Sequence, residues 1–330
     1  MRDLGTEFEA ERDHLTGVAY RMLGSRAEAE DAVQETWLRY AAALADPDAR
    51  AGIRDLRAWL TTTTARICLD VLRSARVRRE AYPGQWLPEP IVEALPGSPG
   101  PAGAGTSGLL GGFAPDPAER AARADEVGLA LLLVLERLSP EQRVAFVLHD
   151  VFAVPFAQIA TVLGTTPAAA RQLAARGRRA VVEGSPRQPA GPAEHRRLLA
   201  AFLDAVETGD VQRLLAVLAP DVVFVGDGGG LFPTARNPVT GAEKAARLAV
   251  GLFRRANERT SRLRARLVLV NGTLGVQVAA EYRPGQPLRG VMWFVADAGR
   301  ISGIYHQVNP AKLTRVPELG PDEGSWPVVR

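Results

Sequence analysis

Residues 156–180 read FAQIATVLGTTPAAARQLAARGRRA. Two short apolar-periodic segments meet at Gly164; Ala160 stands where crossing helices need a small side chain, and Ala170 and Leu173 return to the core. Thr166 can cap the second segment, and Pro167 suits its first turn, where a missing N–H is no loss. The spacing predicts a helix-turn-helix. With Ala170, Leu173, Ala174 and Gly177 facing inward, Thr166, Ala168, Arg171, Gln172, Ala175, Arg176 and Arg179 face outward. Arg and Gln are side chains that read base edges in the major groove. A small-residue helix pair with a solvated arginine face has the same spacing, so the pattern alone leaves DNA binding and plain packing both open.

Working outward, the LSPEQ sequence supplies a capping Ser139, Pro140 at a first helical position and Glu141 close behind, so residues 125–183 are expected to form one helical domain. Residues 81–124 are rich in Pro and Gly and read as a linker. Before it, Leu15, Val18, Met22 and Leu23, then Ala29, Val33, Trp37 and Tyr40, recur at helical spacing around LGSRAEAED. A third helix carries the stripe Leu56, Trp59, Leu60, Ile67, Val71 and Leu72. Residues 1–80 therefore read as a helical bundle, acidic over its first forty residues and basic along the third helix at Arg66, Arg73, Arg76, Arg78 and Arg79. After a second linker at 184–193, helices followed by alternating stretches such as RLRARLVLV and RISGIYHQV predict an α+β domain over 194–313, with a tail at 314–330.

The bulk composition is that of a folded chain: 330 residues, 46% hydrophobic and 23% charged, with a net charge of only +3. Lys244 and Lys312 are the only lysines, so any nucleic-acid surface must be made of arginine. The acidic start MRDLGTEFEAERD is unlike a signal peptide, and no apolar run approaches the ~20 residues needed to span a bilayer, which predicts a cytoplasmic protein without membrane contact. A single cysteine, Cys68, and dispersed histidines imply neither disulfides, a metal nor another cofactor.

Three separated stretches carry a family resemblance. AYRMLGSRAEAEDAVQETWLRY resembles region 2 of an extracytoplasmic-function sigma factor, and LSPEQRVAFVLHDVFAVPFAQIATVLGTTPAAARQLAARGRR resembles region 4. WLPEP (Trp86, Leu87, Pro88, Glu89, Pro90), DGGG (Asp227, Gly228, Gly229, Gly230) and NPAKL (with Asn309, Pro310 and Lys312) resemble the subgroup with a fused SnoaL-like, NTF2-like domain. The resemblance implies a multidomain chain: two all-α sigma domains followed by an α+β cone-shaped domain. It implies binding of core RNA polymerase at the clamp helices of its largest subunit through Asp31, Gln34 and Trp37, and of the promoter −10 element through Trp59, Arg66, Arg73 and Arg76. The −35 element would fall to Thr166, Arg171, Gln172, Arg176 and Arg179, and the free chain is expected to be a monomer. Trp37 and Trp59 also sit on apolar stripes and are equally readable as core. Leu231 and Ala311 depart from the family motifs, which have a basic and an acidic residue at those positions.

The third domain has two readings. Its fold relatives include isomerases and hydrolases, and Asp204, Asp221, Asp227, Glu281 and His306 are the acids and bases available for such chemistry. Nothing in the sequence pairs them, and fold likeness alone assigns no activity. The expectation is therefore no catalysis, with the domain regulating in cis the sigma factor to which it is fused. WLPEP, DGGG and NPAKL would be the contact residues, and the pocket would be a site for a small-molecule ligand. The DGGG segment is not a phosphate cradle, because Pro233 and Pro238 forbid the helix that must follow one.

Overall fold

The computed structural model describes residues 4–45, 52–80, 82, 84–95, 129–232, 234–235, 237–259, 263–283 and 285–319; side chains 75–80, 129 and 258–259 fall outside the description. The chain divides into two compact units, one made of the residues before Tyr82 together with Leu131–Ser185, the other of Tyr82–Ala130 and Pro186 onward.

In the first unit α1 (Leu4–Leu23), α2 (Arg26–Ala45) and α3 (Leu56–Glu80) form a bundle. Leu15, Val18, Met22, Ala29, Val33, Leu60 and Leu72 are buried at the expected helical spacing. The same unit contains α4 (Leu129–Leu135), α5 (Pro140–Phe146), a π-helical turn (Val147–Val151), α6 (Phe156–Leu163) and α7 (Pro167–Gly184). Ser139 caps α5, but its capping-box partner is Gln142 and not the adjacent Glu141, because only the third helical residue can reach back to the cap N–H. Between α6 and α7 Gly164 adopts φ of 63°, a left-handed conformation that lets the chain turn within three residues.

The second unit holds α8 (Pro192–Thr208), α9 (Val211–Val217) and α10 (Ala242–Arg259), with strands β1 (Val92–Ala94), β2 (Leu218–Asp227), β3 (Val239–Thr240), β4 (Arg264–Val270), β5 (Thr273–Arg283), β6 (Gln286–Asp297) and β7 (Arg300–Gln307). The sheet order is β1-β4-β5-β6-β7-β2-β3, parallel only between β2 and β7. Phe202 of α8 packs edge-on against Phe294 of β6 at 4.8 Å within a core that also takes in Phe224 and Ala246.

Of the Pro- and Gly-rich stretch 81–124, expected as a linker, Tyr82 and residues 84–95 belong to the second unit. β1 pairs antiparallel with β4, Val92 opposite Val270 and Ala94 opposite Val268. Proline disfavours helix but is tolerated at a sheet edge, and β1 is the edge strand next to β4. Residues 96–128 and 320–330 lie outside the described residues.

Candidate functional site

The docked linker converges on Asp227, at the end of β2, whose side chain is fully buried. Among the described residues its carboxylate accepts hydrogen bonds from the Tyr82 hydroxyl at 2.6 Å, the Leu87 amide at 3.0 Å, the Gly229 amide at 3.1 Å, Gln307 Nε2 at 3.2 Å and Lys312 Nζ at 2.7 Å. Lys312 also donates to the Leu87 carbonyl at 2.6 Å and lies 3.9 Å from the centre of the Trp86 ring. A buried carboxylate is tolerable only when paired and hydrogen-bonded, and this one is both. Asn309 completes the shell: it donates to the Tyr82 oxygen at 2.8 Å and accepts from the Ala311 amide at 3.0 Å, capping the 3₁₀ turn Pro310–Lys312 that aims Lys312 inward. Burial and then the hydrogen bond to Asp227 raise the Tyr82 pKa, keeping the phenol a donor.

The three glycines of DGGG are explained by this packing. A Cβ on Gly228 would fall 2.1 Å from the Phe232 carbonyl oxygen, and one on Gly229, at φ of 60°, would fall 2.5 Å from Asn309 Cγ. Leu231 is 64% exposed. The cation paired with Asp227 is Lys312.

Of the linker residues singled out by sequence, Leu87, Pro88, Glu89 and Pro90 are buried and Trp86 partly so. Trp86 stacks on the Lys312 ammonium within the second unit. Gly230 takes positive φ in the turn, while Pro310 is exposed on the 3₁₀ turn. Sequence reasoning missed Tyr82 and Gln307, which flank the two motifs, and Asn271, whose Oδ1 accepts from the Ile91 amide at 2.9 Å. The β7 alternation that puts His306 and Gln307 on opposite faces was a readable signal for Gln307.

In the first unit α7 turns Thr166, Arg171, Gln172, Arg176 and Arg179 outward, all exposed, while Ala170, Ala174 and Gly177 are buried. Thr166 caps the helix, accepting from the Ala169 amide at 3.2 Å. The Arg171 guanidinium lies 5.2 Å from the Phe156 ring centre, which orients it. On α2, Asp31 and Gln34 are exposed beside Leu38, itself 54% exposed and unremarked in the sequence. Trp37 is half-buried, edge-on to Phe8 at 5.0 Å, so it is both core and surface. On α3, Trp59 packs against Tyr40 at 6.0 Å. Arg66 donates to the Thr161 carbonyl of α6 at 3.2 Å, and Arg73 pairs with Glu141 of α5 at 3.1 Å; the Arg76 side chain lies outside the described residues. Beneath them the buried Arg143 donates to the Met22 carbonyl at 3.0 Å and to Glu136 at 2.7 Å, joining α1 to α4 and α5.

The acids weighed for catalysis do not assemble. Asp204 pairs with Arg213 at 2.7 Å on the surface, Asp221 is exposed, Asp227 is committed to Lys312, and Glu281 accepts from the Gly285 amide. His306 alone faces a cavity interior with a shifted pKa, pushed down to about 4 by burial.

Comparison with known proteins accounts for this arrangement. Residues 8–78 match the Sigma-70 region 2 family, 128–181 the Sigma-70 region 4 family and 199–304 the SnoaL-like domain family. The chain is 43% identical over 330 residues to the ECF RNA polymerase sigma factor SigJ of Mycobacterium tuberculosis H37Rv, covering 94% of each. It is 35% identical over 306 residues to the probable ECF sigma factor SigI of the same species, covering 93% of each. The crystal structure of M. tuberculosis SigJ superposes with a TM-score of 0.66 at 39% identity, over 94% of this chain and 98% of that one. The chain belongs to the extracytoplasmic-function RNA polymerase sigma factors. It is thus a transcription initiation factor and not an enzyme, from a family that binds core RNA polymerase and promoter DNA. No described helix is long and apolar enough to cross a membrane.

Proposed function

We propose that the SnoaL-like unit restrains this sigma factor in cis by holding the first part of its linker through Asp227 and Lys312. The observation that carries this is the make-up of the Asp227 shell: two of its donors, Tyr82 and the Leu87 amide, come from the linker, and Lys312 grips the Leu87 carbonyl as well. Chain connectivity gives such a clamp leverage. Only Ala81 separates α3 from Tyr82, and residues 185–191 separate α7 from α8. A closed clamp ties both sigma regions to one unit by short tethers and keeps their effective concentration for each other high. With regions 2 and 4 together, Arg66 and Arg73 are engaged with Thr161 and Glu141. Those exposed contacts are weak individually, so the tether sets the balance between closed and promoter-spanning forms.

In the open form Arg171, Gln172, Arg176 and Arg179, with Thr166, read the −35 element; Arg66, Arg73, Arg76 and Trp59 hold the −10 element. Asp31, Gln34 and Trp37, with Leu38, dock on the clamp helices of the polymerase largest subunit. The free chain is a cytoplasmic monomer, and the cavity of the SnoaL-like unit takes a small-molecule ligand that biases the clamp. The test is run-off transcription with core polymerase at limiting sigma. Asp227→Asn and Lys312→Met are expected to raise promoter-dependent transcript several-fold; unchanged transcript from both variants refutes the restraint.

A further inference from the structure

Between α8, α10 and the inner face of the sheet lies a cavity of about 270 Å³, just below the ~300–1,000 Å³ range of small-molecule sites. Phe202, Val206, Phe253, Val276 and Met292 line it, and its two charged lining residues, Arg255 and Glu281, are exposed and of opposite sign. Tyr282 and His306 are the uncharged polar residues of the lining, and His306 is the one with a buried nitrogen left unpaired. Its Nδ1 is buried with no hydrogen-bond partner among the described residues, although an unpaired polar group inside a protein costs ~1–3 kcal/mol. Neutral at pH 7, the ring has one donor and one acceptor nitrogen. Space is kept for it: a Cβ on Gly290 of β6 would come 3.1 Å from His306 Nε2. A ring flip breaks no hydrogen bond to a described residue, so either nitrogen can be offered to a guest.

We propose that this cavity binds an uncharged, mainly apolar molecule of one or two fused rings whose single hydroxyl hydrogen-bonds to the His306 imidazole. The apolar walls give affinity by burial, and the imidazole selects the hydroxyl, because the group it satisfies is otherwise left unpaired. A hydroxyl serves either tautomer, being donor and acceptor at once. The inference rests on the cavity being a ligand site as proposed above, and it names the class. It also supplies a route to the clamp: His306 sits on β7 between Tyr305 and Gln307, and Gln307 binds Asp227 from the opposite face of the strand.

The experiment uses the full chain with 2-naphthol and naphthalene as probes, followed by calorimetry. 2-Naphthol is expected to bind about tenfold more tightly than naphthalene; His306→Phe removes that preference while naphthalene still binds. Ala280→Phe, which fills the cavity from a partly open strand position, is expected to abolish both. Equal affinities for the two probes in the unaltered protein, or a preference that survives His306→Phe, overturn the hydroxyl class and leave the cavity as a site. Binding of neither probe overturns the class and the ligand site together.

Discussion

Replacing Lys312 by Met keeps most of the length of the side chain but removes the ammonium group, and with it the bonds to Asp227 Oδ2 and the Leu87 carbonyl and the cation–π contact with Trp86. Breaking a buried ion pair by deleting one partner costs ~3–5 kcal/mol. Here the carboxylate keeps donors from Tyr82, Leu87, Gly229 and Gln307, and the Lys312 side chain is 11% exposed, so water can reach the vacated position. The cost therefore falls at or below the lower end of that range, about 2–3 kcal/mol, or ~30- to 150-fold in the opening equilibrium of the clamp. Hydrogen exchange read by mass spectrometry reports that equilibrium directly, because the Leu87 and Ile91 amides are bonded only while the linker is docked. Peptides covering 82–95 should exchange faster by that factor in Lys312→Met, with α1 and α2 peptides unchanged. In a D227N background the same substitution should lose most of its effect, since the charge to be compensated is gone. If protection of 82–95 stays within twofold of the unaltered protein, the ion pair does not hold the linker and the reasoning fails.

Two further outcomes follow from other parts of the molecule. Arg171→Ala is expected to relax base preference in a −35 duplex binding assay, with ~1–3 kcal/mol of discrimination lost. Arg179→Ala should weaken binding evenly across sequences and lower the salt slope by about one; identical sequence profiles and slopes for both would misplace the recognition face. The second concerns pH. Burial holds the folded His306 pKa at about 4, below its ordinary 6.5, so the unfolded chain takes up the proton first as pH falls. Stability is fully present above pH 6.5 and declines towards pH 4, by roughly 1.5 kcal/mol between pH 6.5 and 5. His195, whose pKa burial also lowers, adds in the same direction. Urea dependence of exchange in β6 and β7 peptides should show that loss, reduced but not abolished in His306→Phe; equal losses in both proteins would place the titration elsewhere.

The helical half of the protein was legible in its sequence because its information is local. A 3.6-residue stripe fixes which side of α1, α2 and α3 is buried, and in residues 156–180 the cap, the turn glycine and the face of Arg171 and Arg179 all lie within twenty-five residues. The strands of the second unit could be read the same way, from alternation. What composition could not tell was that a proline-rich stretch is an edge strand, since β1 exists only because β4, nearly two hundred residues later, offers it an open edge. The clamp is the clearest division between the two kinds of information. Its motifs stand out as short strings, and family likeness marked them as contacts, but the partner of Asp227 is Lys312 because β2 and β7 lie side by side and parallel, which brings the ends of the two strands together. Tyr82 and Gln307 carry no signature of their own, and only the closing of the sheet made them donors to a buried carboxylate. Sequence determined which segments would fold and which surfaces would be basic or apolar; tertiary structure decided which charge was buried, because burial depends on neighbours that are distant along the chain.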